Sequence, residues 1–473
     1  MIKLLPNVAK QALLYGASIA LMKGISLLML PFITAYLPVE SYGRLEVVTS
    51  LAVISSVLIG MGLDSALFRF AGTSDQPQES RRLSAELFYL ALLIGAIAGI
   101  GGWLTAGSLA SSLPGQLSEY EIRLVMLTLS LEGAISIPLG WMRMRDRASL
   151  FFFASTGRAL LQALLVLLFL SQGRGVAGVL EAGVVAAASQ ALCIGVLHLR
   201  DTGVKLSIRK NTAYRSIIYS LPIVLSGMLA FVWNGLDRLI LADFSSLVDV
   251  AHFGVAAKFS LAVILLLQPF NMWWVPRRFN VLKQVNGQQQ AVKIISIGIV
   301  LTLMIAVFIG LAIPPLIAWL LPESYHIAGL YAFGLVMVMA LKEMAELVNI
   351  GCFVGKTTKA QLLINLSGAA VCTLAMYVLA PRYAAWGIIM ALLSAHGLRL
   401  LLFFLTSQYF LPLPYPTHRL LLLAALSIAF LSLGSQTDTV FQQFLVTLMA
   451  MSSLLAGSLL LKLVPFPKRL RTS

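Results

Sequence analysis

The sequence predicts an all-α polytopic membrane protein with about fourteen transmembrane helices, and three observations support this prediction. The chain of 473 residues is 59% hydrophobic and only 11% charged, whereas a soluble domain carries about 25% charged residues. Its apolar runs reach the roughly 20 residues that a helix needs to cross a bilayer. The basic residues between these runs also alternate in density, which is the topology signal of a helical membrane protein.

Each predicted span is an apolar run long enough to cross the hydrocarbon region. The connections between the runs are short, and the longest, 200–215, is basic. No connection could therefore fold as a soluble catalytic domain. The predicted spans lie near 12–36, 45–70, 84–110, 120–142, 149–171, 176–199, 216–242, 250–276, 291–320, 326–354, 360–380, 384–410, 418–434 and 439–463.

The distribution of basic residues predicts the orientation of these helices. Twenty-four of the 34 Lys and Arg residues fall in the termini and the even-numbered turns, and only four fall in the odd-numbered turns. The positive-inside rule assigns the richer side, with both termini, to the cytoplasm. The net charge of +15 is thus explained by topology, and nucleic acid is not an expected partner.

A weak internal repeat predicts the domain organisation. Tyr42-Gly43 precedes the segment 50–54, and Phe253-Gly254 precedes the identical segment 260–264. Both copies enter the second helix of a six-helix set, which predicts two pseudo-symmetric six-helix bundles in parallel orientation, plus two C-terminal helices. The expected domains are an N-terminal bundle at 1–200, a basic cytoplasmic linker at 201–215, a C-terminal bundle at 216–411, and the two additional helices with a basic tail at 412–473.

Six cations are predicted inside spans, where each would cost about 3 kcal/mol if unpaired. Lys342 and Glu346 are four residues apart and can pair on one helix face, but adjacent Asp237 and Arg238 point about 100° apart and should not face one spot. The cations either pair with distant helices or line a water-filled cavity between the two bundles that suits an anionic head group. The six are Lys23, Arg158, Arg238, Lys258, Lys342 and Arg399.

Two deep acids have two possible roles. Glu132 and Glu343 could serve as counter-ions for the cations, or could take up H+ or Na+ and so couple transport to an ion gradient. His396 lies one turn from Arg399 and is interpreted as a packed helix residue, with a proton relay as the alternative. Cys193, Cys352 and Cys372 lack CxxC spacing and are interpreted as packing residues.

Several segments resemble, in order and spacing, the polysaccharide transporter family, the O-antigen-type (Wzx-like) flippases of bacteria. The sequence departs from the family at Val255, where a Tyr usually follows the Gly. The matching segments are Gly60-Met-Gly-Leu-Asp64-Ser-Ala-Leu-Phe68-Arg69, Ser220-Leu-Pro222, Trp233-Asn-Gly-Leu-Asp237-Arg238, Gly254-Val-Ala-Ala-Lys258, Gly355-Lys356-Thr357-Thr358, Asn365, Pro381-Arg-Tyr and Trp386-Gly387.

The resemblance implies a function that the residues alone do not establish. It implies membership of the multidrug/oligosaccharidyl-lipid/polysaccharide exporter superfamily and flipping of undecaprenyl-diphosphate-linked oligosaccharide across the bacterial cytoplasmic membrane. No bound cofactor is expected, only H+ or Na+ as coupling ion. The expected partners are the lipid-linked oligosaccharide, membrane lipid, and a polysaccharide polymerase with its chain-length regulator. The six intramembrane cations become candidate ligands of the diphosphate or of acidic sugars, and Asp64, Arg69 and Asp237 become candidate gate residues.

Three other functions compete with this interpretation. A multidrug antiporter of the same superfamily should carry net acid in its cavity, whereas this chain carries net base. A peptidoglycan-precursor flippase would share the fold and the cationic cavity. A membrane-embedded glycosyltransferase or polymerase would need acidic catalytic residues in a sizeable outer loop, and the outer loops here are short.

Overall fold

The computed structural model describes residues 5–74, 76–203, 208–354, 359–437 and 439–464. All elements that it gives for these ranges are helical, as the sequence predicts. The chain divides into an N-terminal unit, Met1–Ala251, and a C-terminal unit, His252–Ser473. Three predicted features lie outside the described residues: the centre of the basic linker at 204–207, the motif at 355–358 and the tail at 465–473. The predicted domain boundaries stay predictions.

The described residues of the N-terminal unit form ten complete helices and the start of an eleventh. The predicted spans match the observed ones to within about seven residues at either end, but several are broken into two helices. The helices are α1 Leu5–Tyr36, α2 Val39–Gly60, α3 Leu63–Phe70, α4 Pro77–Ser112, α5 Glu119–Ser130, α6 Glu132–Met144, α7 Ala148–Ser171, α8 Gly175–Thr202, α9 Lys210–Asn234, α10 Leu236–Phe244 and α11 Leu247–Ser260.

The C-terminal unit begins inside α11, and its described residues form seven further α-helices and two short 3₁₀ segments. The 3₁₀ segments, Glu323–Tyr325 and Asn349–Phe353, flank α15. The helices are α12 Ala262–Trp274, α13 Arg278–Leu282, α14 Gly287–Leu320, α15 Ala328–Val348, α16 Lys359–Phe410, α17 Thr417–Gly434 and α18 Val440–Leu460.

Two of the helix breaks occur where the backbone leaves the helical region. Met61 and Gly62 have φ of 49° and 60° and separate α2 from α3, a conformation that glycine adopts at little cost. Gly235, with φ of −161° and ψ of −37°, separates α9 from α10. The break at Gly235 matters for function because it places Asp237 and Arg238 in the first turn of a new helix.

The segment Lys359–Phe410, here labelled α16, consists of two helical arms that meet at a reversal of chain direction. A straight helix of 52 residues would be about 78 Å long, far more than a bilayer needs. Ala384 has a non-helical φ of 48°, and a Cβ on Gly387 would lie 2.3 Å from the Leu379 carbonyl oxygen. The two arms therefore fold back on each other, and they correspond to the predicted spans 360–380 and 384–410.

The described residues contain thirteen helices or broken helices that are long and apolar enough to span a membrane, with α16 counted once. Counting its two arms separately gives fourteen passes, the predicted number. Large apolar side chains such as Leu104, Leu164 and Leu374 remain at least 65% exposed, as lipid-facing residues do. The chain is a multi-pass membrane protein.

Candidate functional site

In the N-terminal unit, Arg238 is held by two carboxylates. Its Nη1 lies 3.1 Å from each carboxylate oxygen of Asp237, and its Nε donates to Glu46 Oε2 of α2 at 3.1 Å. Asp237 and Glu46 are only 3% and 2% exposed. The expectation that Asp237 and Arg238 would not meet is wrong, because the long Arg side chain turns back over its own helix end.

Arg158 has a neutral hydrogen-bond partner instead. From α7, its Nη1 donates to Gln190 Oε1 of α8 at 3.2 Å, while Gln190 Nε2 donates to the Ala154 carbonyl oxygen at 3.0 Å. Glu132, the predicted coupling acid of the N-terminal unit, lies at the start of α6.

In the C-terminal unit, Arg399 lies at the centre of a polar cluster on the second arm of α16. Its Nε donates to Asn365 Oδ1 of the first arm at 3.1 Å, and its Nη1 lies 3.0 Å from His396 Nδ1. Its Nη2 lies 3.4 Å from Glu346 Oε1 of α15. The Arg399 side chain is 8% exposed whereas that of Glu346 is 48% exposed. Glu346 therefore stands on the open side of a buried guanidinium.

The cluster continues from Glu346 to Arg278. Asn349 Nδ2 donates to Glu346 Oε2 at 2.9 Å, and Arg278 Nη1 donates to Asn349 Oδ1 at 3.3 Å. The Arg278 guanidinium also lies over the Phe353 ring, 4.6 Å from its centroid. Burial lowers the pKa of Arg278, an effect that Glu346 opposes. Two arginines, one carboxylate and one amide thus form a row from α13 to α16.

Glu343 is the most buried of the predicted coupling acids. It is 6% exposed, and its Oε2 accepts a hydrogen bond from Asn271 Nδ2 of α12 at 2.7 Å. The neighbouring Lys342 and the α11 residue Lys258 are half-buried. Lys342, Glu343 and Glu346 thus all belong to the last two turns of α15.

The remaining predicted residues lie apart from these clusters. Lys23 is exposed on α1, Asp64 is half-buried in the first turn of α3, and Arg69 is exposed in its last turn. In the described part of the chain, no side-chain hydrogen bond or ion pair joins Asp64 to Arg69. Asp64 and Arg69, two of the predicted gate residues, therefore do not pair with each other in this structure as described.

An ion network at the start of α9 was not predicted. Arg209 Nη2 lies 2.7 Å from Glu79 Oε1, and Arg209 Nε lies 2.8 Å from Glu86 Oε1. Arg82 Nε also lies 3.2 Å from the same Glu86 oxygen. The hydrogen bond to Glu79, with that to Glu86, raises the pKa of Arg209. This network fixes the end of the basic linker to the first turns of α4.

Glu46 is the acid that sequence reasoning missed. The predicted second span begins at 45, which puts Glu46 at its edge, whereas α2 begins at Val39 and buries Glu46 two turns inside. The amides Asn271, Asn349 and Gln190 were also missed, because a single amide in an apolar run gives no sign of its partner.

Three solved structures resemble the chain in fold. The lipid II flippase MurJ in an inward closed conformation gives a TM-score of 0.72 at 11% identity, covering 95% of this chain and 100% of that one. The MATE multidrug transporter DinF-BH gives 0.57 at 18% identity, covering 84% of this chain and 95% of that one. An outward-facing multidrug resistance MATE family transporter of the MOP superfamily gives 0.53 at 16% identity, with coverage of 84% and 95%. These likenesses establish a MurJ/MATE-like fold.

The sequence comparison gives the family. No curated protein matches the chain. A family model described as "Polysaccharide biosynthesis protein" matches residues 8–282, which is more than half of the chain and includes α1 to α13. This match shows that the chain belongs to the polysaccharide biosynthesis protein family.

Proposed function

We propose that this protein is a flippase that moves undecaprenyl-diphosphate-linked oligosaccharide repeat units across the bacterial cytoplasmic membrane. The repeat units would serve the synthesis of a surface polysaccharide such as O-antigen, capsule or exopolysaccharide. Membership of the polysaccharide biosynthesis family supports the substrate class, and the likeness to a lipid II flippase supports a fold that can handle a polyprenyl-diphosphate lipid. The observation that carries the proposal is the row of contacting side chains Arg278, Asn349, Glu346 and Arg399, which we call the basic row.

The chemistry of this row suits a diphosphate. A guanidinium binds phosphate oxygens through a planar fork of donors, and each charge-assisted hydrogen bond is about twice as strong as a neutral one. Arg399 is buried, and its carboxylate partner Glu346 is half-exposed. A diphosphate can therefore approach from the open side and compete with Glu346 for Arg399. Glu346 would act as an exchangeable counter-ion that keeps the guanidinium paired between transport cycles.

The other five cations have subordinate roles in this proposal. Lys258 and Lys342 add positive charge around the C-terminal row, and Lys23 and Arg158 do so in the N-terminal unit. For Arg238, the two buried carboxylate partners favour a mainly structural role. The proposal therefore ranks Arg399 first among the candidate ligands.

Coupling to an ion gradient would use the buried acids. Glu343 is buried and accepts a hydrogen bond from Asn271. Uptake of H+ or Na+ by this carboxylate would remove a negative charge from the interior of the C-terminal unit. Glu132, at the start of α6, is the second candidate for binding the coupling ion.

Opening and closing would involve the helix breaks. Asp64 and Arg69 lie on the short helix α3 after the break at Gly62, and Asp237 lies on the short helix α10 after the break at Gly235. Short helices that follow such breaks can move as units, because the break supplies the hinge. We assign these three residues to gating, with Asp237 acting through its pair with Arg238.

We further propose that the substrate crosses without covalent change and that both termini are cytoplasmic. The weight of positive charge on one side supports this orientation. A polysaccharide polymerase and its chain-length regulator would use the translocated units on the outer side.

The test is flipping in proteoliposomes. Purified protein is reconstituted with a polyprenyl-diphosphate oligosaccharide, and an added glycosidase reports the sugar that reaches the outer leaflet. Wild-type protein should make the inner pool accessible, and Arg399→Glu should not, because a carboxylate repels the diphosphate. Arg382→Glu is the matched control, since Arg382 is exposed and outside the row, and it should flip normally.

Two results would overturn the proposal. If no lipid-linked sugar moves but a cationic dye is exported, the protein is a multidrug antiporter. If only a peptidoglycan precursor moves, it is a precursor flippase of the same superfamily. Normal flipping by Arg399→Glu would leave the substrate class intact and refute the role of the basic row.

A further inference from the structure

A groove of about 340 Å³ lies between α7 and α8 in the N-terminal unit. Leu150, Phe153 and Leu161 of α7 and Ala186 and Leu197 of α8 form its apolar lining. Phe153 is 71% exposed, so the groove is open at the surface of the protein. An open apolar groove within membrane-spanning helices faces acyl chains more readily than water.

The length of the groove corresponds to one leaflet. Its lining extends from Leu150 to Leu161 on α7 and from Leu197 to Ala186 on α8. Eleven residues of helix rise about 16 Å, which is about half of the ~30 Å hydrocarbon thickness. The hydrogen-bonded pair of Arg158 and Gln190 lies near the deep end. The groove therefore accepts an acyl chain of a single leaflet, and a long polyprenyl chain would exceed it.

Two arginines lie at the shallow end of the groove. Arg147 is the residue immediately before α7, three positions from Leu150, and Arg200 lies in the last turn of α8, three positions from Leu197. Arg147 forms an ion pair with Asp201 across the two helices, which fixes Arg147 at the seam. Both arginines are exposed. This end of the groove is the one that the charge distribution assigns to the cytoplasm.

We infer that this groove binds an anionic phospholipid of the cytoplasmic leaflet, with its phosphate at Arg147 and Arg200 and one acyl chain between α7 and α8. Charge complementarity selects an anionic head group, since each guanidinium can donate two hydrogen bonds to phosphate. The site is defined by the groove and these two arginines, and Arg158, a candidate ligand of the transport substrate, lines its deep end.

The chain supplies its own reporter for this site. Cys193 lines the groove and is exposed, whereas Cys352 and Cys372 are buried. Delipidated protein in a non-ionic detergent is treated with a maleimide while phosphatidylglycerol or phosphatidylcholine is titrated in. Phosphatidylglycerol should slow the modification of Cys193 several-fold and saturably, and phosphatidylcholine should not. Cys193→Ser should abolish the labelling and so identify the signal.

The two arginines and the apolar groove are tested by separate variants, with a matched control for the arginines. Arg147→Gln combined with Arg200→Gln should abolish protection by phosphatidylglycerol. Arg174→Gln should retain it, because Arg174 is paired with Glu181 as Arg147 is with Asp201, but at the opposite end of the helices. Loss of protection in the Arg174 variant would show that any removed positive charge weakens lipid binding, and it would refute the proposed site.

A second variant fills the groove without touching the arginines. A Cβ on Gly157 meets no atom within 4 Å, so Gly157→Leu should fold normally and occupy the groove. Native mass spectrometry should then show about one bound phosphatidylglycerol fewer than in wild-type protein. Equal protection by both lipids, protection by a polyprenyl diphosphate alone, or unchanged lipid binding in Gly157→Leu would each refute an anionic phospholipid site.

Discussion

The two buried arginine clusters differ in how their charge is balanced. Arg238 in the N-terminal unit contacts Asp237 and Glu46, which are both almost fully buried. Arg399 in the C-terminal unit contacts the carboxylate of half-exposed Glu346, together with the neutral side chains of Asn365 and His396. The first arginine therefore lies among buried negative charge, and the second has a counter-ion that can leave into open space.

The exposure of the counter-ion distinguishes a structural role for Arg238 from a binding role for Arg399. Removing one member of a buried ion pair leaves uncompensated charge in a medium of low dielectric constant. Removing the counter-ion of a cation next to open space leaves a cation that can take another anion. Arg238 and Arg399 have equal formal charge and were equal candidates from the sequence, but of the two it is Arg399 that has the surroundings of an anion-binding residue.

The largest expected effect is on folding and comes from Arg238→Ala. This change leaves the carboxylates of Asp237 and Glu46 buried without their cation, which should cost about 3–5 kcal/mol. The amount of folded protein in the membrane should fall sharply, as measured by fluorescence-detected size-exclusion chromatography. Adding Asp237→Asn and Glu46→Gln should restore much of it. Normal abundance of the single variant would show that Arg238 is not structural.

The next largest effect is on transport and comes from Arg399→Ala and Lys258→Ala. Removing Arg399 leaves Glu346, which solvent can reach, so little folding free energy should be lost. Export of surface polysaccharide should be abolished while abundance in the membrane stays near that of wild-type protein. Arg382→Ala serves as the exposed control. Normal export by both variants would mean that neither Arg399 of the basic row nor Lys258 binds the substrate.

A smaller effect is expected from Glu343→Gln, which removes the charge but keeps the hydrogen bond of Asn271. If Glu343 carries the coupling ion, flipping should continue but lose its several-fold acceleration by an imposed H+ or Na+ gradient. Flux in proteoliposomes with and without each gradient measures this. The exposed residue Glu323, changed to Gln, should keep the full response. An unchanged gradient response in Glu343→Gln would assign coupling elsewhere.

The sequence predicted the fold well because lipid imposes a strong constraint. Span length and the alternation of basic turns depend on the bilayer and not on side-chain partners, so all fourteen passes were found. The reversal inside α16 was predicted as two spans, since Pro381 and the short gap interrupt the apolar run. The break at Gly235 was not predicted, because backbone hydrogen bonds in that region are set by packing.

The site was predicted less well, because charge pairing depends on which helices meet. Arg399 was identified as costly in the membrane, but its bonds to Asn365 and Glu346 join residues 34 and 53 positions apart. The pairing of Asp237 with Arg238 was predicted wrongly because helix geometry fixes the Cβ directions and not the ends of long side chains. Glu46 was missed because an error of a few residues in a helix boundary hid its depth.

The most direct test of Arg399 as the exchangeable binding cation is the affinity for a short-chain polyprenyl diphosphate, measured by isothermal titration calorimetry. Glu346→Gln should bind it about tenfold more tightly than wild-type protein, since one competing charge is worth roughly 1.4 kcal/mol. Arg399→Gln should bind at least about tenfold more weakly, and Glu323→Gln should match wild-type protein. If Arg399→Gln binds as tightly as wild-type protein, or if Glu346→Gln does not tighten binding, the account of an exchangeable counter-ion is wrong.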